Sequence, residues 1–109
     1  MTRKEFCKNI EKMSDNIYIG LFNRKYHITY TPKQYEDERW GYDELLITDC
    51  EILEAYDKEH ENDTEEYDWF ATYSKFKTPE ELLDGFLVDG VPLGELLDKV
   101  DDMWCTVYA

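Results

Sequence analysis

The stretch Ile17-Tyr18-Ile19-Gly20-Leu21-Phe22, followed by Asn23-Arg24 and then Lys25-Tyr26-His27-Ile28-Thr29-Tyr30, decides the fold. Both runs are rich in β-branched and aromatic residues and alternate with a period of two, the pattern of strands buried on one face. Asn23-Arg24 between them reads as a two-residue turn, so the segment is a β-hairpin. Alternation sends Ile17, Ile19 and Leu21 to the core together with Tyr26, Ile28 and Tyr30. His27 falls on the opposite face, toward solvent. Thr31-Pro32 is expected to stop the second strand, because proline cannot donate to a ladder.

Outward from the hairpin, Thr2-Arg3-Lys4-Glu5 fits a capping box, with Thr2 as N-cap and Glu5 at N3. Phe6, Ile10 and Met13 follow at helical spacing, predicting a helix from Arg3 to Met13 that Ser14-Asp15-Asn16 ends. Residues 33–42 read as an exposed connection. From Asp43 to Tyr56 two periods compete: Leu46, Cys50, Leu53 and Asp57 suit a helix, whereas Leu45 with Ile47 and Cys50 with Ile52 suit two short strands broken near Thr48-Asp49. The strand reading is favoured. Asp57 to Asp68 is almost wholly charged and is expected as solvated loop, and Trp69 to Ser74 as a strand.

Thr78-Pro79-Glu80-Glu81 is a second capping box, with Pro79 at N1 and Glu81 at N3. It opens a short helix carrying Leu82, Leu83 and Phe86 inward. Val88-Asp89-Gly90-Val91 is a turn, and Pro92 is expected to open another helix with Leu93, Leu96, Leu97 and Val100 on one stripe. Trp104 to Tyr108 reads as a last strand. The resulting class is α+β: a small antiparallel sheet with an N-terminal helix and two short C-terminal helices packed on it. With 109 residues and no Pro/Gly/Ser-rich linker, residues 1–109 are expected as a single domain.

Charge is distributed unevenly. Residues 1–33 hold seven Lys/Arg and three Asp/Glu, while the remainder carries most of the 26 acidic residues and brings the net charge to −14. Such a chain repels nucleic acid and anionic membrane and attracts basic surfaces. Cys7, Cys50 and Cys105 are odd in number and widely spaced, against a disulfide framework and for a reducing compartment. The polar start Thr2-Arg3-Lys4-Glu5 has no apolar segment behind it, so a cytoplasmic protein is expected.

Catalytic signatures are lacking: no nucleophile elbow, phosphate-binding loop, dinucleotide glycine pattern or HExxH motif occurs. No catalytic residue, cofactor or metal is therefore expected. His60 lies within the acidic segment. Asp57, Glu59, Glu61 and Asp63 alternate like a calcium loop with Asp68 in the twelfth place, but Asn62 stands where the sharp turn needs glycine. Buried small hydrophobe is the simplest role for each cysteine.

The acidic run itself carries the strongest signal. From Asp49 to Asp68 there are ten Asp/Glu and one Lys, interleaved or flanked by Tyr56, Tyr67, Trp69 and Phe70. One reading is a solvated face that maintains solubility, as in a structural or housekeeping domain. The other is an interface: carboxylates on a surface imitate nucleic-acid phosphates before a basic groove, and tyrosine and tryptophan supply anchors. The candidate partner-binding residues are Asp57, Glu59, Glu61, Asp63, Glu65, Glu66 and Asp68, with Tyr67 and Trp69 as anchors.

A resemblance points the same way. Lys75-Phe76-Lys77-Thr78-Pro79-Glu80-Glu81-Leu82-Leu83, with Val88-Asp89-Gly90-Val91-Pro92-Leu93 and Glu95-Leu96-Leu97, resembles the C-terminal segment of small proteins carried by phages and mobile elements of Gram-positive bacteria. In size and acidity the chain is similar to anti-CRISPR and anti-restriction proteins. What the resemblance implies is inhibition of a nucleic-acid-binding nuclease, a CRISPR effector foremost, by occupying its basic groove. It transfers no functional residue. An immunity protein against a cationic toxin nuclease is the alternative among binding proteins.

Overall fold

The hairpin forms as β1 (Ile17–Leu21) and β2 (Arg24–Gln34) in a computed structural model that describes residues 1–12, 16–34, 40–62 and 70–105. Its turn is Phe22-Asn23 rather than Asn23-Arg24. Phe22 and Asn23 take φ of 53° and 60°, the double positive φ of a type I′ turn, and Leu21 pairs with Arg24. Either turn keeps both apolar sets on one face, so alternation alone did not discriminate between them. Nor does Pro32 end β2. The ladder to β3 (Trp40–Asp49) shifts register between Thr31 and Pro32, and such a bulge accommodates a residue without an N–H. The expected connection over 33–42 is correspondingly shorter, with 33–34 and 40–42 in strands.

Both periods seen from Asp43 to Tyr56 are real, one after the other. Leu45 and Ile47 belong to β3, whereas Cys50 and Ile52 belong to a helix, α2 (Cys50–Glu59), not to a second strand. Asp49 makes the switch: extended at φ −75° and ψ 126°, it accepts the Glu51 N–H at 2.8 Å. That is an N-cap, which satisfies one orphan amide of the first turn. The helix continues through Asp57 and Glu59, so the loop expected from Asp57 begins only at His60.

No strand spans 69–74. Residues 70–72 form a turn closed by the Tyr73 N–H to Phe70 carbonyl bond at 3.1 Å, and the strand, β4 (Ser74–Phe76), begins after it. Trp69 lies outside the described residues. The sheet order is β4-β3-β2-β1-β7, antiparallel throughout, with β7 (Val100–Cys105) on the far edge. The last strand therefore starts before Trp104, and the portion expected through Tyr108 extends outside the described residues.

Two capping boxes open helices as expected. Before α1 (Arg3–Lys12), Thr2 Oγ1 accepts the Glu5 N–H at 3.1 Å and Glu5 Oε1 accepts the Thr2 N–H at 3.3 Å. Met13 lies outside the described residues. Before α3 (Pro79–Gly85), Thr78 Oγ1 accepts the Glu81 N–H at 3.1 Å, while Glu81 reaches back to the Lys77 N–H at 3.0 Å. A small hairpin follows, β5 (Leu87–Val88) and β6 (Val91–Pro92), around Asp89-Gly90. The helix expected from Pro92 is instead two 3-10 turns, Leu93–Glu95 and Leu97–Lys99. Gly94 lies directly against the Arg3 guanidinium, and a Cβ there would also meet the Leu83 carbonyl at 3.1 Å. The two turns are closed by i to i+3 bonds, Leu96 N–H to the Leu93 carbonyl and Lys99 N–H to the Leu96 carbonyl, both 2.9 Å.

The sheet has two differently covered faces. Ile17, Ile19, Leu21, Tyr26, Ile28, Leu45 and Ile47 form one, packed with Phe6 and Ile10 of α1, Leu82 and Leu83 of α3, and Leu93 and Leu97. Burying each such side chain is worth roughly 1.5–3 kcal/mol, so this face holds the core. Tyr18, His27, Leu46 and Thr48 alternate onto the other face, over β2 and β3, where α2 packs. His27, expected toward solvent, is buried there. Strand alternation alone leaves this side of the sheet to solvent, but α2 and the 70–73 turn cover it.

Candidate functional site

The second face of the sheet positions the candidate surface. α2 has no fully buried residue; Cys50, Leu53 and Tyr56, at spacings of three, lie half-buried toward the sheet. Glu51, Glu54, Asp57 and Glu59 are exposed along the helix and Glu61 in the turn that follows it, with Lys58 as the sole cation of the helix. Ile52 is 57% exposed among them. Asp57 and Glu59 occupy the last turn, where the helix dipole disfavours anions. Local helix stability does not explain carboxylates there.

Of the nine residues singled out in the acidic run, the structure brings Asp57, Glu59 and Glu61 together around the end of α2. Asp63, Glu65, Glu66, Tyr67, Asp68 and Trp69 lie outside the described residues. Glu51, Ile52 and Glu54 lie outside that set, because a strand reading gives no reason to group them with Asp57 and Glu59. The signal was available in Asp49-Cys50-Glu51: a capping aspartate before acidic first-turn residues and a Cys50, Leu53, Tyr56 stripe. The end of α2 is closed by His60, whose ring stacks on Tyr56 at 4.1 Å and whose Nδ1 lies 2.9 Å from the Tyr56 carbonyl.

Between α2 and the hairpin lies a pocket of about 210 Å³. Tyr18, Lys25 and His27 come from the sheet, Cys50, Leu53, Glu54 and Asp57 from α2, and Asn16 and Tyr73 from the flanks. His27 forms its floor, with Nδ1 2.6 Å from Tyr73 Oη and Nε2 2.9 Å from Asn16 Oδ1. A neutral imidazole protonated at Nε2 satisfies both: it accepts from the tyrosine hydroxyl and donates to the amide oxygen. Burial lowers the His27 pKa, consistent with that neutral form. Lys25 Nζ stands 5.4 Å from the centre of the Tyr18 ring, which is stacked on Trp104.

Burial raises the Cys50 pKa against the opposing influence of Lys25. Burial also raises that of Cys7, with a further contribution from its hydrogen bond to Glu80 at 3.4 Å. All three cysteines are free. Among the described residues, no group of three His, Cys, Asp or Glu is placed to hold a metal ion, and no helix is long and apolar enough to cross a membrane.

On the opposite side of the sheet, α1 carries Arg3, Lys4 and Lys8 along an open groove. Arg3 is committed to α3, reaching Glu80 at 3.1 Å and Asp84 at 2.7 Å. By sequence α1 is thus net basic and α2 net acidic. No family model, curated protein or solved structure matches the chain.

Proposed function

We propose that this chain binds the basic groove of a nucleic-acid-binding nuclease and blocks it as a nucleic-acid mimic, with CRISPR effectors the favoured class of target. The observation that carries the reading is the outer surface of α2. Glu51, Glu54 and Asp57 are exposed at a spacing of three along the helix, Glu59 and Glu61 are exposed at its end and just beyond, and Lys58 is the one cation of the helix. A rigid row of carboxylates offers a groove the regularly spaced negative charge of a phosphate backbone, and releases the groove's counterions in the same way. Exposed Ile52 and Phe70 add apolar surface beside that charge.

The test is capture followed by competition. The immobilised chain is exposed to bacterial lysate, captured proteins are identified, and the purified partner is challenged with duplex DNA and with RNA. The expected partner is a basic nuclease, which nucleic acid displaces and which the chain inhibits in a cleavage assay. A partner whose binding is indifferent to competing nucleic acid overturns the mimicry.

A further inference from the structure

We infer that the pocket beneath α2 is a socket for one arginine side chain of the partner, an inference that rests on the proposed basic-partner reading and gives it a point of specificity. Size selects the class of occupant first. Sites for drug-sized molecules run from about 300 to 1,000 Å³; at about 210 Å³ this one takes a single side chain.

Charge selects a cation. Glu54 and Asp57, one helical turn apart, both line the pocket from α2. The His27 floor offers nothing to an anion, since its one N–H is directed to Asn16 and its other nitrogen accepts from Tyr73. The aromatic wall already faces a cation of the chain's own, the Lys25 ammonium 5.4 Å from the centre of the Tyr18 ring. Lys25 is exposed, so its side chain can swing out as another cation enters.

Shape selects arginine. A planar guanidinium pairs with two carboxylates through separate N–H groups while its face lies on an aromatic ring, whereas a lysine ammonium is a compact, strongly hydrated point charge. Arginine is also the cation enriched at interface hot spots. The outer carboxylates Glu59 and Glu61 then provide long-range attraction, and the socket provides discrimination.

The experiment compares octa-arginine with octa-lysine by calorimetry, on wild type and on two double variants with the same change in charge. Glu54→Gln with Asp57→Asn alters the socket, and Glu59→Gln with Glu61→Gln alters the surface beyond it. All four side chains are exposed, and circular dichroism checks that each variant folds. Wild type is expected to bind octa-arginine about tenfold more tightly than octa-lysine, the scale of one well-paired charged contact. The socket variant is expected to lose that preference, the surface variant to bind both peptides less tightly while keeping it. Lys25→Gln is expected to strengthen octa-arginine binding by about threefold by removing the resident cation. In parallel, N-acetyl-arginine amide should shift the ring NMR signals of Tyr18, His27 and Tyr73. Salt-sensitive binding of both octamers without an arginine preference, or with one that survives Glu54→Gln and Asp57→Asn, overturns the socket and leaves the acidic surface standing. Failure of both octamers to bind at low salt overturns the basic-partner reading and the socket with it.

Discussion

His27 and Thr48 are cross-strand partners on β2 and β3, and each holds one of two consecutive residues of the 70–73 turn. His27 Nδ1 meets Tyr73 Oη at 2.6 Å, and Thr48 Oγ1 lies 3.0 Å from both the carbonyl and the hydroxyl oxygens of Thr72. A buried polar pair thus clamps a segment that has little apolar anchoring of its own, since Phe70 is 41% exposed. Burial favours the neutral imidazole within that clamp.

Stability should accordingly fall in mild acid. Burial holds the folded His27 pKa below its ordinary value of 6.5, so the unfolded chain takes up a proton first as pH drops. In the window below about 6.5 the unfolded state binds more protons, and stability rises with pH there and levels off above it. Urea unfolding between pH 7.5 and 5.5 should show this loss, and His27→Gln should reduce its slope. A wild-type stability independent of pH over that range would exclude the neutral buried imidazole.

Phe22 is in the left-handed region at φ 53°, where a bulky side chain is strained, yet its ring is 48% exposed. Little burial offsets the strain, so Phe22→Asn should raise stability by about 1 kcal/mol. A thermal melt checks it. Loss of stability instead would show that the ring contributes packing beyond its exposure.

The helices and strands that carry their own local chemistry were legible: two capping boxes, one alternating hairpin and one Asp-Gly turn. Elements whose form depends on what covers them were not. Cys50 to Glu59 has only three apolar residues turned to the sheet, and its Ile52 faces water, so neither period dominated. Likewise Leu93, Leu96 and Leu97 have helical spacing, but that spacing does not distinguish an α-helix from two successive 3-10 turns. Of the candidate surface, the charge was plain in the composition. The pocket was not, because it joins His27 to Cys50 and Tyr73 through folding alone.

The two 3-10 turns separate neighbours that a continuous helix would treat alike. Leu97 is 3% exposed within the core, whereas Leu96 packs against it only partly buried. Leu97→Ala should cost about 2–5 kcal/mol and Leu96→Ala clearly less. Equal losses in chemical denaturation would favour one continuous helix over the two turns.

Association with a basic partner should be governed by the acidic side of the molecule and not by its total charge. Reversing Glu59, Glu61 and Glu65 to lysine changes the net charge by six, and reversing Glu5 and Glu11 on α1 changes it by four. If net charge alone drove binding, both sets would weaken it in rough proportion. If the surface at the end of α2 meets the groove, the first set should reduce affinity at least tenfold and the second by little, because the Debye length of about 10 Å at 0.1 M salt screens charges on the far face of the sheet. The loss should fall mainly on the association rate, which should itself drop steeply as salt is raised, while dissociation changes less. Glu59 and Glu61 are exposed, and exposed charges contribute little to folding, so the melting curve of the first set should stay close to wild type. Surface plasmon resonance at 0.05, 0.15 and 0.5 M salt separates the cases. Proportional weakening by both sets would reduce the acidity to a solubilising property and remove α2 from the interface.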